Sequence, residues 1–174
     1  MSENSQESSQ LPNSPRLTFE RMKDSDLDDM ARLLGDPEAM AFYPHPKSRQ
    51  ESLDWIRWNQ RNYRRDQLGL WILREAASSS FIGDCGLTWQ LIDGREELEI
   101  GYHVLREFQG QGFATEAALA SRDLALSLGH RRLISIIHPE NIASRRVAEK
   151  VGMSVERETV SRTGLPVVVY AGKW

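Results

Sequence analysis

The stretch Glu99-Ile-Gly-Tyr-His-Val-Leu-Arg-Glu-Phe-Gln-Gly-Gln-Gly-Phe-Ala-Thr-Glu116 decides how the rest of the chain is read. Its first part alternates, with Leu98, Ile100, Tyr102 and Val104 set against Glu99, Gly101 and His103, as a strand does. Gly110-Gln111-Gly112 ends that alternation, and a 3.6-residue period begins. Ala114, Ala117, Ala118, Ser121, Leu124, Ala125 and Leu128 trace one face of a helix over residues 114–128, closed by Gly129. A strand that passes through glycines into a helix leaves free backbone N–H groups at the positive end of the helix dipole, which makes an anion site. Glycines let a phosphate approach the backbone closely. No lysine follows the glycines, so this is not a nucleotide P-loop, and Gly110 and Gly112 lack the third glycine of the dinucleotide pattern. Taken alone, the two glycines also fit an ordinary strand-to-helix turn.

Working outward, three strand-like runs cover residues 69–75, 80–90 and 97–105, with turns at Ala76-Ala77-Ser78-Ser79 and Asp93-Gly94-Arg95. Their spacing reads as an antiparallel meander. Ahead of them, residues 17–20 suit a short strand, and Asp24 or Ser25 caps a helix to residue 34 that Gly35-Asp36-Pro37 stops. Ser48-Arg-Gln-Glu51 is a capping box opening a helix to about residue 63. Its stripe is Leu53, Ile56 and Gln60, with Trp55 and Trp58 beside it. After the glycine turn and its helix, residues 133–137 form an apolar strand suited to a sheet interior. Pro139-Glu140-Asn141 leads into a helix over residues 142–151, closed by Gly152, and strands at 153–159 and 167–171 flank a Thr163-Gly164 turn. The order predicts an α/β (α+β) domain: a single mixed, mostly antiparallel sheet of about seven strands with helices on both faces.

The chain has 174 residues, 40% hydrophobic and 27% charged, the size of one ordinary domain. Residues 1–15, rich in Ser, Gln and Asn, read as a disordered tail, leaving residues 16–174 as the domain. A single cysteine, Cys85, excludes an intramolecular disulfide and a Cys-rich zinc site, and no metal is expected. No run approaches the length of a membrane helix, and the first residues lack a signal-peptide pattern, so the expected compartment is cytoplasmic. A net charge of −3 argues against nonspecific nucleic-acid binding.

Gln109-x-x-Gly112-x-Ala114 resembles the Q/R-x-x-G-x-G/A signature of the GCN5-related N-acetyltransferases (GNAT). Glu99-Ile-Gly-Tyr102 and Ala114-Thr-Glu-Ala117 resemble the RimJ/RimL-like branch, the ribosomal-protein alanine acetyltransferases. So do Asp36-Pro37-Glu38-Ala-Met40 and Asn141-Ile-Ala-Ser144-Arg-Arg146-Val147-Ala-Glu149-Lys150-Val-Gly152-Met. The likeness spans about residues 17–169. Arg106 occupies the region where the family usually has proline.

The resemblance implies the acyl-CoA N-acyltransferase fold, with splayed central strands, and acetyl-CoA as cosubstrate. The diphosphate would lie on backbone amides from Gln111 to Thr115, with Gly110 and Gly112 permitting the approach and Gln109, Phe113 and Ala114 counted among the cofactor-binding residues. The pantetheine arm would enter between the strand carrying Tyr102, His103, Val104 and Leu105 and the strand at residues 133–137. Asn141 and Ser144 would face the thioester, with Arg146 reaching a phosphate. Asn141 also fits a helix cap, and Arg145, Arg146 and Lys150 also fit a solvated helix face. The acetyl group would pass directly to an amine acceptor, a peptide N-terminus or a small molecule. A base must take the amine proton: Glu99 is the first candidate and His103 the second. Ser144 is the candidate donor near the sulfur. Many family members carry a tyrosine four residues after that position, where this chain has Ala148. That departure leaves open a non-catalytic acyl-CoA-binding or regulatory module on the same fold. Tyr43, His45, Trp55, Trp58, Trp89 and Arg162-Thr163-Gly164 are candidates to line the acceptor side, although aromatic residues at helical spacing are more often core. The chain is expected to be a monomer or a homodimer.

Overall fold

The computed structural model describes residues 10–174. Among these residues seven strands form one sheet: β1 (Leu17–Arg21), β2 (Leu70–Glu75), β3 (Phe81–Ile92), β4 (Arg95–Val104), β5 (Arg132–Ile137), β6 (Ser154–Val160) and β7 (Pro166–Lys173). Their spatial order is β1-β2-β3-β4-β5-β7-β6. All neighbours are antiparallel except β4 and β5. The mixed seven-stranded sheet is therefore as the sequence leads one to expect.

Asp93 and Gly94 take left-handed φ values of 51° and 74° between β3 and β4. That two-residue turn matches the strand twist and fixes the register of the longest ladder, from Ile92↔Arg95 back to Gly83↔Val104. Among the described residues four helices cover the sheet: α1 (Leu27–Leu34), α2 (Arg49–Asp66), α3 (Phe113–Ser127) and α4 (Ile142–Val151). Neighbouring residues of β3 point to opposite faces. Asp84 meets Trp55 of α2, and Cys85 meets Ser121 of α3, so these two helices lie on opposite sides.

Two local expectations are corrected. Residues 24–26 form a 3-10 turn ahead of α1, and the N-cap of α1 is Asp26, without a side-chain bond. The buried face of α2 is Ser52, Ile56, Asn59, Asn62 and Tyr63; of the expected stripe Leu53, Ile56 and Gln60, only Ile56 belongs to it, and the other two are half-buried. Asn59 is buried because its amide serves structure: it donates to Trp55 O and accepts from the Leu70 N–H. Tyr63 bridges the Met22 N–H and Leu70 O in the same way. These polar bonds dock α2 on β2, so an apolar periodicity cannot find that face. The expected capping box forms, with both Ser48–Glu51 bonds present.

Of the tail expected at residues 1–15, residues 1–9 lie outside the described residues. Residues 10–15 hold no helix or strand, yet Pro12 is buried and Ser14 donates to Glu116 of α3. The domain's contacts thus begin several residues before β1.

The β2–β3–β4 platform is sensitive at Gly86. A Cβ there would lie 2.0 Å from Gly69 O and 2.8 Å from Leu70 Cα, both backbone atoms. Gly86→Ala is expected to cost about 2 kcal/mol of stability, a Tm fall of about 5 °C by thermal unfolding. An unchanged Tm would contradict this close approach.

Candidate active site

Strands β4 and β5 share a single pair, Glu99↔Ile134, and then part. Two side chains bridge the vertex of the resulting cleft. Ser135 Oγ donates to Ile100 O at 2.8 Å, and the Ile136 N–H donates to Glu99 Oε2 at 3.0 Å. Beyond them β4 continues to Val104 with no β5 partner. The splayed strands implied by the resemblance are present.

Glu99 lies at the closed end of this cleft. Burial pushes its carboxyl up to about 7, against the Ile136 N–H and the charge of His103, which pull it down. His103 follows on the same strand face. Its Nδ1–H donates to Asp84 Oδ1 at 2.6 Å, and its Nε2 meets the Tyr43 hydroxyl. The other Asp84 oxygen accepts from Trp55 Nε1 at 3.1 Å. Asp84 is fully buried, as its two donors permit. Burial works against a charge on His103, but Asp84, by charge and hydrogen bond, and then Glu99 outweigh it and raise its pKa. The Phe42 ring stacks on His138 at 5.0 Å, joining the loop before α2 to the loop after β5.

At the outer end of β4 lies the glycine turn. Gly110 and Gly112 have φ values of 74° and 83°, a region open to glycine at little cost. Gly112 is the N-cap of α3 and offers no side-chain cap. The first bond of the helix runs from the Glu116 N–H to Gly112 O, so the N–H groups of Phe113, Ala114 and Thr115 have no acceptor within the helix. A space beside a bare, positive helix end and an unpaired strand edge fits the diphosphate and pantetheine arm of acetyl-CoA.

The other candidates divide. Gln109 Nε2 donates to Val104 O at 3.0 Å and Gln111 Nε2 to Glu107 O at 3.0 Å, so both side chains brace the turn. Leu105 and Phe113 are buried in the core. The Tyr102 hydroxyl crosses to Ser144 O at 2.7 Å, tying β4 to α4. Asn141 caps α4 by accepting from the Ser144 N–H at 3.2 Å. Arg146 is exposed. Arg145 is committed to Tyr170 and Pro139 O. Cys85 is fully buried, and burial first of all pushes its thiol up to about 12, an inert state.

Among the proposed acceptor-side residues, Trp55 and Tyr43 stand at the site, and Trp58 packs 5.5 Å from Trp55. His45 pairs with Glu51 of the capping box. Trp89 sets its ring edge against His130, just after α3, and does not join the Tyr43–Trp55 group. Asp84 and Ser135 are the residues that sequence reasoning missed. For Asp84 a signal was present: the two-residue Asp93-Gly94 turn alone sets Asp84 opposite His103.

Residues 16–154 match the family model of the acetyltransferase (GNAT) domain. The uncharacterized protein YkkB of Bacillus subtilis (strain 168) is 35% identical over 160 residues, covering 91% of this chain and 92% of that protein. An acetyltransferase from Agrobacterium tumefaciens superposes with a TM-score of 0.82 at 22% identity, over 95% of this chain and 96% of the other. The ribosomal L7/L12 α-N-protein acetyltransferase RimL, solved with coenzyme A, gives 0.75 at 20% identity, over 93% and 96%. Fold and sequence agree: the chain belongs to the GNAT acetyltransferase family and is an acetyl-CoA-dependent N-acetyltransferase.

Proposed function

We propose that transfer takes place at the vertex of the β4–β5 cleft, with Glu99 as the base. The observation that carries this reading is the Glu99 carboxylate, placed where the strands part and with a pKa raised to about 7. Such a group is half ionised at neutral pH, and a base poised near the working pH serves proton transfer best. It takes the proton of the acceptor amine, directly or through one water. His103 is then a positioning residue. With Nδ1–H held by Asp84, a neutral His103 accepts the Tyr43 O–H at Nε2, while a protonated one donates there and turns that O–H outward. The histidine thus directs the Tyr43 hydroxyl on the acceptor side.

Acetyl-CoA supplies an activated thioester. The backbone of residues 111–115 binds its diphosphate, and the open edge of β4 at Tyr102–Val104 accepts the pantetheine arm. Asn141 and Ser144 border the thioester, with Ser144 orienting it; Ala148 offers no acid, so the departing thiolate takes a proton from water. The acceptor, a peptide N-terminus or a small amine, comes in past Phe42 and Tyr43. The RimJ/RimL-like sequence motifs and the fold shared with RimL favour testing peptide N-termini first.

A screen with thiol detection, pitting N-terminal peptides against small amines, is expected to give turnover with at least one. Acetyl-CoA binding without turnover across a broad panel would favour the non-catalytic module. In the active enzyme, kcat/KM for the acceptor is expected to rise with pH through about 7 as Glu99 ionises. Glu99→Gln should lose that limb and cut kcat by about 100-fold or more while still binding acetyl-CoA. A retained limb would remove Glu99 as base. A second check is proton NMR of His103. It should titrate above its ordinary value in the parent protein, and lower than in the parent in Asp84→Asn, where only Glu99 is left to oppose burial. An unmoved titration would contradict the Asp84–His103 pairing.

A further inference from the structure

The chain just before β1 is tied to the glycine turn, although nothing in the transfer chemistry calls for it. Ser14 Oγ donates to Glu116 Oε1, and the Arg16 backbone N–H donates to the same oxygen at 2.8 Å. Arg16 Nε donates to Glu116 Oε2 at 2.7 Å, and Nη1 donates to Gln111 O at 3.1 Å. The guanidinium lies 4.3 Å from the centre of the Phe113 ring. One side chain therefore holds the carbonyl inside the turn, the first turn of α3 and the ring at its start.

The Gln111 carbonyl matters because of the peptide it belongs to. In a trans peptide the C=O and the following N–H point in opposite directions. By holding Gln111 O, Arg16 turns the Gly112 N–H away from itself, and the flexible glycine on either side cannot resist that choice. Glu116 is the second half of the arrangement. A carboxylate in the first turn of α3 would repel a diphosphate at the same helix end. Its bonds to Ser14 and Arg16 spend that charge within the protein.

We propose that Arg16 is a positioning residue for the diphosphate of acetyl-CoA, fixing the Gln111–Gly112 peptide in its binding orientation while neutralising Glu116. Arg16 acts through the loop, by its bonds to Gln111 O and Glu116. This rests on the reading that residues 111–115 bind the diphosphate.

The test is calorimetry of coenzyme A binding, together with kinetics for acetyl-CoA and for S-acetylpantetheine, which lacks the diphosphate. Arg16→Ala is expected to weaken coenzyme A binding and raise KM for acetyl-CoA by about tenfold, what one charge-assisted hydrogen bond is worth. kcat at saturation and kcat/KM with S-acetylpantetheine should stay unchanged. Arg16→Lys, which keeps the charge and loses the fork, should fall between. Glu116→Ala separates positioning from simple charge. It removes a negative charge beside the anion, yet it releases Arg16, so binding should weaken. Unaltered binding in Arg16→Ala, equal or tighter binding in Glu116→Ala, or an equal loss with S-acetylpantetheine would each overturn the proposal. A parent protein that turns over acetyl-CoA but binds it without help from residues 111–115, shown by Gly112→Val having no effect, would instead overturn the reading beneath it.

Discussion

Strands β4 and β5 meet at one pair, Glu99↔Ile134, and everything around the cleft depends on how they part. A strand that leaves its neighbour strands backbone donors and acceptors without partners, and each must be satisfied if it is buried. Here Ser135 satisfies Ile100 O and Glu99 satisfies the Ile136 N–H. The same two contacts stop the strands from closing further along. The carboxylate that replaces a ladder bond is thereby fixed at the closed end of the cleft, where burial raises its pKa toward neutrality.

The α2 side of the sheet shows the same economy. A carboxylate as deeply buried as Asp84 is tolerated only with donors aimed at it. Trp55 and His103 provide them, and the second nitrogen of His103 passes the constraint on to Tyr43. Residues from α2, β3, β4 and the loop before α2 are locked into one arrangement. The α3 side is different. There the glycine turn and the uncapped helix leave backbone groups free. Polar side chains are satisfied on one face of the sheet, and backbone donors are available on the other.

Much of the fold was legible because local rules set it. The Ser48–Glu51 capping box, the Asp93-Gly94 turn, the apolar β5 and the glycine stops after α3 and α4 lie where sequence reasoning expects them. The glycine turn was legible as a strand-to-helix turn that leaves backbone N–H groups free, for the same reason. The buried face of α2 was not, because Asn59 and Tyr63 dock it through hydrogen bonds to β2 that no periodicity records. Asp84 reads as a polar residue in an apolar run until the hairpin register sets it against His103. Arg16 lies 95 residues from Gln111, and only the order of the sheet brings the two together. Trp55 looked like helix core, and its indole N–H proves to face Asp84.

The central claim is that the parting strands hold Glu99 as a carboxyl poised near neutral pH. Carbon-13 NMR of the glutamate carboxyl carbons, with Glu99→Gln to assign the resonance, measures this directly. The account predicts that the Glu99 signal titrates near pH 7, well above the remaining glutamates. A Glu99 signal titrating near 4.5, the ordinary value for the residue, would contradict it.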